Sequence, residues 1–243
     1  MAIGIESGNS GLNFVSFDVW KTLVRSNPDF KPARAKLVAD KIGTELGLVE
    51  GAIRNADVEL DKDTDSSGLQ HGPEDRLRAT FLSLGVPESD IDDLSSELSD
   101  EVQRLFLGYP PELNEEGLLE TLSEISNRVN GIYIISNTGF INGEYMRRAL
   151  ESIGLMRHVK KAIFSDEEGL AKPDRRIFNR VIEDSDCIDN PGRIVHVGDN
   201  QSADYQGALR VGMSAVLLSP IDHPGGYASA PTIRAALDEG ILC

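Results

Sequence analysis

Cysteine is nearly missing from this 243-residue chain. Cys187 and Cys243 are too few for a disulfide framework, and neither sits in a context that marks a thiol nucleophile. Histidine is scarce too: His71, His158, His196 and His223 fall at none of the spacings that ligate zinc, which argues against a zinc centre. Basic residues are outnumbered, 24 Lys and Arg against 40 Asp and Glu, and the net charge of −16 repels phosphate backbones, so nucleic acid is not an expected partner. Long apolar runs and basic leader segments are also missing. Residues 1–12 are small and polar, so neither a signal peptide nor a membrane span is expected, and a cytoplasmic protein is.

What is present is enough apolar residue, 40%, to bury a sizeable core. Five short apolar runs resemble strands, at 14–17, 132–135, 162–164, 194–197 and 215–218. The stretches between them are long enough for helices, and residues 143–153 and 174–183 carry apolar side chains at three- and four-residue spacing. This rhythm predicts an α/β fold, a parallel sheet covered by amphipathic helices. Residues 28–111 break it, with helix-like segments at 31–46, 74–84 and 91–107 and no convincing strand. They read as a helical insert placed after the first strand, with Pro110-Pro111 as the return point, leaving 1–27 and 112–243 for the core. Within the insert, Asp61-Lys62-Asp63-Thr64-Asp65 has the start of a calcium loop. Its sixth position is Ser66 instead of glycine and its twelfth is Gly72 instead of glutamate, so calcium is not expected and the segment reads as a solvated, mobile loop.

Chemistry gathers at the strand ends. Asp18 follows the first run, Ser136-Asn137 the second, and Gly198-Asp199-Asn200 the fourth, with Asp204 close behind; Lys172-Pro173 follows the third before a helix. Parallel strands bring these termini to one edge, where open α/β sheets bind ligands. Taken singly, each residue has an ordinary role as a cap, a turn or a surface lysine. Taken in order, each at a strand end, they point to one catalytic cleft.

This set resembles the haloacid dehalogenase superfamily of aspartate-nucleophile hydrolases. The four signatures are similar to Phe17-Asp18-Val19-Trp20-Lys21-Thr22-Leu23, Ile135-Ser136-Asn137, Lys172-Pro173-Asp174, and Gly198-Asp199 with Asp204. The resemblance covers nearly the whole chain and implies a Rossmann-like parallel sheet core with an inserted α-helical cap domain. It implies that Asp18 is a nucleophile forming an acyl-phosphate, that Ser136 and Asn137 bind the substrate, and that Lys172 neutralises developing charge. It also implies a magnesium ion held by Asp18, Asp199 and the backbone carbonyl of Trp20, with Asp204 in support, and a small phosphorylated metabolite as substrate. The chemistry is consistent, because a carboxylate attacking a phosphate dianion meets a repulsion that a hard cation and a lysine offset.

Two positions depart from that pattern. The family's phosphatases carry an acid/base aspartate two residues after the nucleophile, and here Trp20 stands in its place. Such a group contributes ~10²- to 10⁴-fold in rate, so reduced activity on poor leaving groups is expected. Lys21 replaces a usual glycine, which calls the tight turn into question. An aromatic at position 20 is similar to the metal-independent 2-haloacid dehalogenases, an alternative reading. Those enzymes lack the acidic fourth motif, and without a cation Asp199 and Asp204 would repel a haloacid. A phosphate-binding regulatory protein without efficient turnover is the other alternative. Arg25, Lys31, Arg34 and Arg54 could contact an anionic substrate, although charged residues on helices ordinarily form a solvated face.

Overall fold

The computed structural model describes residues 12–220 and 228–242. His223, Cys243 and the residues before Leu12, on which part of the sequence reading fell, lie outside the described residues. The chain enters β1 (Phe14–Phe17), turns into the short β2 (Val24–Arg25), and then runs through α1 (Phe30–Ile42), α2 (Leu46–Ser67), α3 (Pro73–Ser83) and α4 (Glu88–Phe106) to β3 (Glu112–Leu113). β2 and β3 pair antiparallel, Val24 opposite Leu113 and Arg25 opposite Glu112, so the points where the chain leaves and rejoins the sheet are tied together.

Strands and helices alternate from there. α5 (Leu118–Ser126) leads to β4 (Gly131–Ser136), α6 (Gly143–Ser152) to β5 (Val159–Phe164), and α7 (Ser165–Glu168) with α8 (Arg175–Asp184) to β6 (Ile194–Gly198). A π-helical turn (Gln201–Gln206) and α9 (Gly207–Leu209) precede β7 (Ser214–Leu218), β8 (Ser229–Ala230) and α10 (Ile233–Asp238). The sheet runs β5-β4-β1-β6-β7-β8, and all of its pairs are parallel.

The apolar runs are explained by burial on both faces. Along β1 every residue is buried: Val15 and Phe17 join one cluster with Leu122 of α5 and Leu150 of α6, and Phe14 joins the opposite cluster with Phe178 and Val181 of α8. Each large side chain so buried contributes about 1.5–3 kcal/mol. From β1 the chain builds outward to β4 and β5 on one side and to β6 and β7 on the other. The order therefore reverses beside β1, and open sheets of this kind form their crevice at such a point.

The insert is more helical than its sequence suggests. The segment read as a solvated loop around residues 61–65 is the last part of α2, a helix of 22 residues closed by Gly68 in the left-handed conformation, φ 74°. Its buried stripe consists of Val49, Ala52, Ile53, Ala56 and Thr64, mostly small side chains that give weak apolar periodicity. Its end is docked: Ala171 N–H donates to the Gly68 carbonyl at 3.0 Å, which fixes the last turn of α2 against the loop that carries Lys172. Among the described residues no helix is long and apolar enough to cross a membrane.

Candidate active site

Lys172 is the hub of the strand-end cluster. It is 1% exposed, and Nζ donates to Asp18 Oδ1 at 2.6 Å, Asp204 Oδ1 at 2.7 Å and the Ile135 carbonyl at 2.7 Å, which uses all three of its protons. Asn137 sets its backbone, with Nδ2 donating to the Lys172 carbonyl at 2.9 Å and Oδ1 accepting from Lys172 N–H at 2.7 Å. The Asn137 amide is thus committed to holding Lys172. Ser136, at the end of β4, is buried, and its hydroxyl donates to the Asn137 carbonyl at 3.3 Å.

Asp204 is held from several directions. Its Oδ2 accepts from Asn200 N–H at 2.9 Å, and buried His196, whose Nδ1 is 2.8 Å from Ser16 Oγ, lies 3.4 Å from Asp204 Oδ1 through Nε2. A Cβ at Gly198 would fall 2.2–2.6 Å from Asp204 side-chain atoms, so only glycine lets the carboxylate lie over the end of β6. His196 is a site neighbour that sequence reasoning missed, because a histidine inside an apolar strand carries no spacing signal.

The Asp18 carboxyl is raised to about 7: burial is the largest cause, Lys172 opposes it, and Asp204 and Asp199 add to the rise. Burial alone would lower Lys172, but Asp18 and Asp204 outweigh it and raise the ammonium to about 12. Asp204 goes the other way: burial would raise it, but Lys172 and His196 hold it well below the usual carboxylate range. Of the two carboxylates on Lys172, Asp204 is therefore the firmly ionised one. Asp199 is raised, by burial first and by Asp204 second.

Asp18, Asp199 and Asp204 offer carboxylate oxygens that all lie within 4.8 Å of one another. Three carboxylates against one ammonium leave an excess of negative charge on hard oxygen donors. That is the donor chemistry of a divalent cation such as magnesium.

The turn after Asp18 forms without glycine. Lys21 adopts the left-handed region itself, φ 60°, and Lys21 N–H donates to the Val24 carbonyl at 2.7 Å. Its exposed ammonium stands 3.9 Å from Asp199 Oδ2. A left-handed lysine costs about 1–2 kcal/mol that glycine avoids in the folded state, offset by about 0.5–1 kcal/mol of added chain entropy in the unfolded state. Lys21→Gly is accordingly expected to leave stability unchanged or raise it by up to ~1.5 kcal/mol. A urea midpoint that falls by more than that equivalent would contradict this reading of the turn. Half-buried Trp20 packs edge-on against Phe106 of α4, ring centroids 6.4 Å apart, and joins the strand-end loop to the helices.

Above the cluster is a cavity of about 880 Å³. Its floor includes Asp18, Lys172 and Asp199, and its opposite wall, from α1, α2 and α3, includes Phe30, Arg34, Asp57, Asp65 and Arg76. Arg34 is not on a solvated face: it is 6% exposed, donates to Asp57 Oδ2 at 3.2 Å and lies 3.9 Å from the Phe140 ring centre. Arg76, which the sequence did not single out, is 3% exposed and donates to Asp57 at 2.8 Å and Asp61 at 2.6 Å. Arg25 pairs with Glu112 across β2 and β3 at 2.9 Å, and Lys31 and Arg54 are exposed at the cavity rim.

Comparison with known proteins bears on family and fold. A family model described as a haloacid dehalogenase-like hydrolase matches residues 13–212. The mouse haloacid dehalogenase-like hydrolase domain-containing protein 3 is 27% identical over 221 residues, covering 87% of this chain and 84% of the mouse protein. The pyrimidine 5'-nucleotidase YjjG of Escherichia coli is 31% identical over 115 residues, 46% of this chain and 49% of its own length. Among solved structures, the HAD-hydrolase YfnB from Bacillus subtilis bound to magnesium superposes with a TM-score of 0.73 at 17% identity, covering 95% of this chain and 98% of that one.

Proposed function

We propose that this chain, which belongs to the haloacid dehalogenase-like hydrolase family and is a hydrolase, releases phosphate from a small phosphorylated metabolite through an aspartyl-phosphate on Asp18. The observation that carries the reading is Lys172, hydrogen-bonded at once to Asp18 and Asp204 beside Asp199, at the floor of a cavity. Three carboxylates with no cation would repel an anionic haloacid, whereas a phosphatase brings a divalent cation to the same oxygens.

In the proposed reaction Asp18 Oδ2, the oxygen not engaged by Lys172, attacks phosphorus. Lys172 offsets the charge that grows on the phosphoryl oxygens, Asn137 keeps Lys172 in place, and the Ser136 hydroxyl, which donates to the Asn137 carbonyl beside them, would have to turn to reach the phosphoryl group. Asp18, Asp199 and the Trp20 carbonyl would hold magnesium, with Asp204 in support, and the cation would offset the repulsion between carboxylate and phosphate. Residues 28–111 would act as a cap that shields the cavity from bulk water. The nucleotidase activity named for the partly matching E. coli relative is a phosphate-ester hydrolysis of the same kind.

A screen of phosphorylated metabolites alongside a 2-haloacid tests this reading. Phosphate release that requires added magnesium and stops in chelator is expected, with no halide. Halide release that persists in chelator would overturn it in favour of the dehalogenase.

A further inference from the structure

We propose that Asp65, on the last turn of α2, is the general acid and base of the reaction, supplying from the cavity wall the carboxyl group that Trp20 does not. The inference rests on the phosphatase reading and adds to it a catalytic residue outside the four strand-end motifs.

The direction of the chemistry sets where such a group must stand. Displacement at phosphorus is in line, so a nucleophile on the floor sends the leaving oxygen away from the sheet, toward the helices of the insert. The water that later attacks the aspartyl-phosphate must arrive from that same side. Trp20 reaches α4 but offers no transferable proton at these pH values.

Asp65 lines the same cavity as Asp18, Lys172 and Asp199. Its Oδ2 accepts from Asn200 Nδ2 at 2.8 Å, and the backbone N–H of Asn200 donates to Asp204 at 2.9 Å, so one residue separates Asp65 from the Lys172 cluster. Asn200 is itself rigid, its Oδ1 accepting from Ser202 N–H at 2.9 Å and Ala203 N–H at 3.0 Å. The Asp65 Oδ1 oxygen makes no hydrogen bond among the described residues, and the docked Gly68 carbonyl fixes the turn that carries it.

The other carboxylates of the wall are engaged or remote. Asp57 accepts from Arg34 and Arg76, Asp61 accepts from Arg76, and Glu50 is exposed at the rim. The charged groups acting on Asp65 are Asp61 from its own helix, Asp204 from the π-helical turn, and Lys172. Burial raises its carboxyl, Asn200 and Lys172 oppose that, and Asp61 and Asp204 add to it, so the carboxyl holds a proton more readily than an exposed aspartate does.

The steps balance. In the first, the bond from Asp18 Oδ2 to phosphorus forms, the bond from phosphorus to the ester oxygen breaks, and the Asp65 proton passes to the departing alkoxide. In the second, a water oxygen bonds to phosphorus, the bond to Asp18 breaks, and the water proton returns to Asp65. The carboxyl ends as it began.

Asp65→Asn keeps an acceptor for Asn200 while removing the transferable proton and the charge, and Asp65→Glu and the two esters separate catalysis from structure. The readout is kcat/KM, which covers steps only up to departure of the leaving group. For an alkyl phosphate it should fall at least ~10²-fold, and for p-nitrophenyl phosphate, whose leaving group needs no proton, less than about threefold. Asp65→Glu, which retains a carboxyl, should recover part of the alkyl loss, and so should adding Trp20→Asp to the Asp65→Asn protein. An equal fall on both esters, no fall on the alkyl ester, or no recovery in either second variant would overturn the role of Asp65. Failure of the wild-type protein to release phosphate from either ester would be the separate failure of the phosphatase reading, and the assignment would fall with it.

Discussion

Asp18→Asn should abolish phosphate release, with a fall of at least ~10⁴-fold in kcat, while leaving the metal-free protein as stable as the wild type or more so. The loss follows from removal of the proposed nucleophile, since an amide forms no acyl-phosphate and the remaining groups only bind and polarise. The stability follows from the site. The Asp18 carboxyl is desolvated and raised to about 7, so its ionised form is disfavoured where it sits, and a neutral amide of the same shape keeps an oxygen for Lys172 at 2.6 Å. Thermal melts in chelator beside single-turnover assays separate the two effects. An Asp18→Asn protein that turns over within tenfold of wild type would remove the nucleophile assignment.

Lys172→Met should damage both fold and activity. It strips Asp18 and Asp204 of their shared cation and leaves the Ile135 carbonyl without its 2.7 Å donor, all in a buried setting. Breaking a buried ion pair by removing one member costs about 3–5 kcal/mol, and losing one charge-stabilising donor at the reacting group costs about 10²- to 10³-fold in kcat. The pH dependence has a definite sign. Lys172 is raised to about 12, so its contribution is fully present below its ordinary 10.5 and is lost only as pH rises through about 12. Asp204 is depressed, so its contribution is present above its ordinary 3.8 and is lost as pH falls below that. The stability gap between Lys172→Met and wild type should therefore hold across neutral pH and narrow in acid, where the variant's carboxylates take up protons. A gap that widens on acidification would contradict this balance of charges.

Much of the site could be read before the structure because parallel strands buried on both faces appear as continuous apolar runs, and their ends mark one edge. Asp18, Ser136, Asn137, Lys172, Asp199 and Asp204 stand out on that basis; the structure brings Asp18, Asn137, Lys172, Asp199 and Asp204 to one cavity and leaves Ser136 buried beside it, its hydroxyl on the Asn137 carbonyl. What stayed hidden is what depends on which way a charged helix faces. Arg34, Asp57, Arg76 and Asp65 look like surface residues in sequence, since a salt-bridged wall of a cavity and a solvated face share one composition. α2 was hidden for a related reason: beyond Val49 and Ile53 its buried stripe is Ala52, Ala56 and Thr64, where leucine would have announced it. Lys21 misled differently, because a left-handed turn that usually selects glycine is met here by a lysine that takes the same φ.

The most direct measurement is to trap the covalent intermediate. Enzyme mixed with magnesium and an excess of a cleaved phosphate ester, quenched in acid within one turnover, reduced with borohydride and digested, should yield the peptide around residue 18 with Asp18 converted to homoserine. The same peptide from Asp18→Asn should be unmodified. Unmodified Asp18 in wild-type protein quenched during steady turnover, or a phosphoryl group found on another side chain, would contradict the central assignment of Asp18 as the nucleophile.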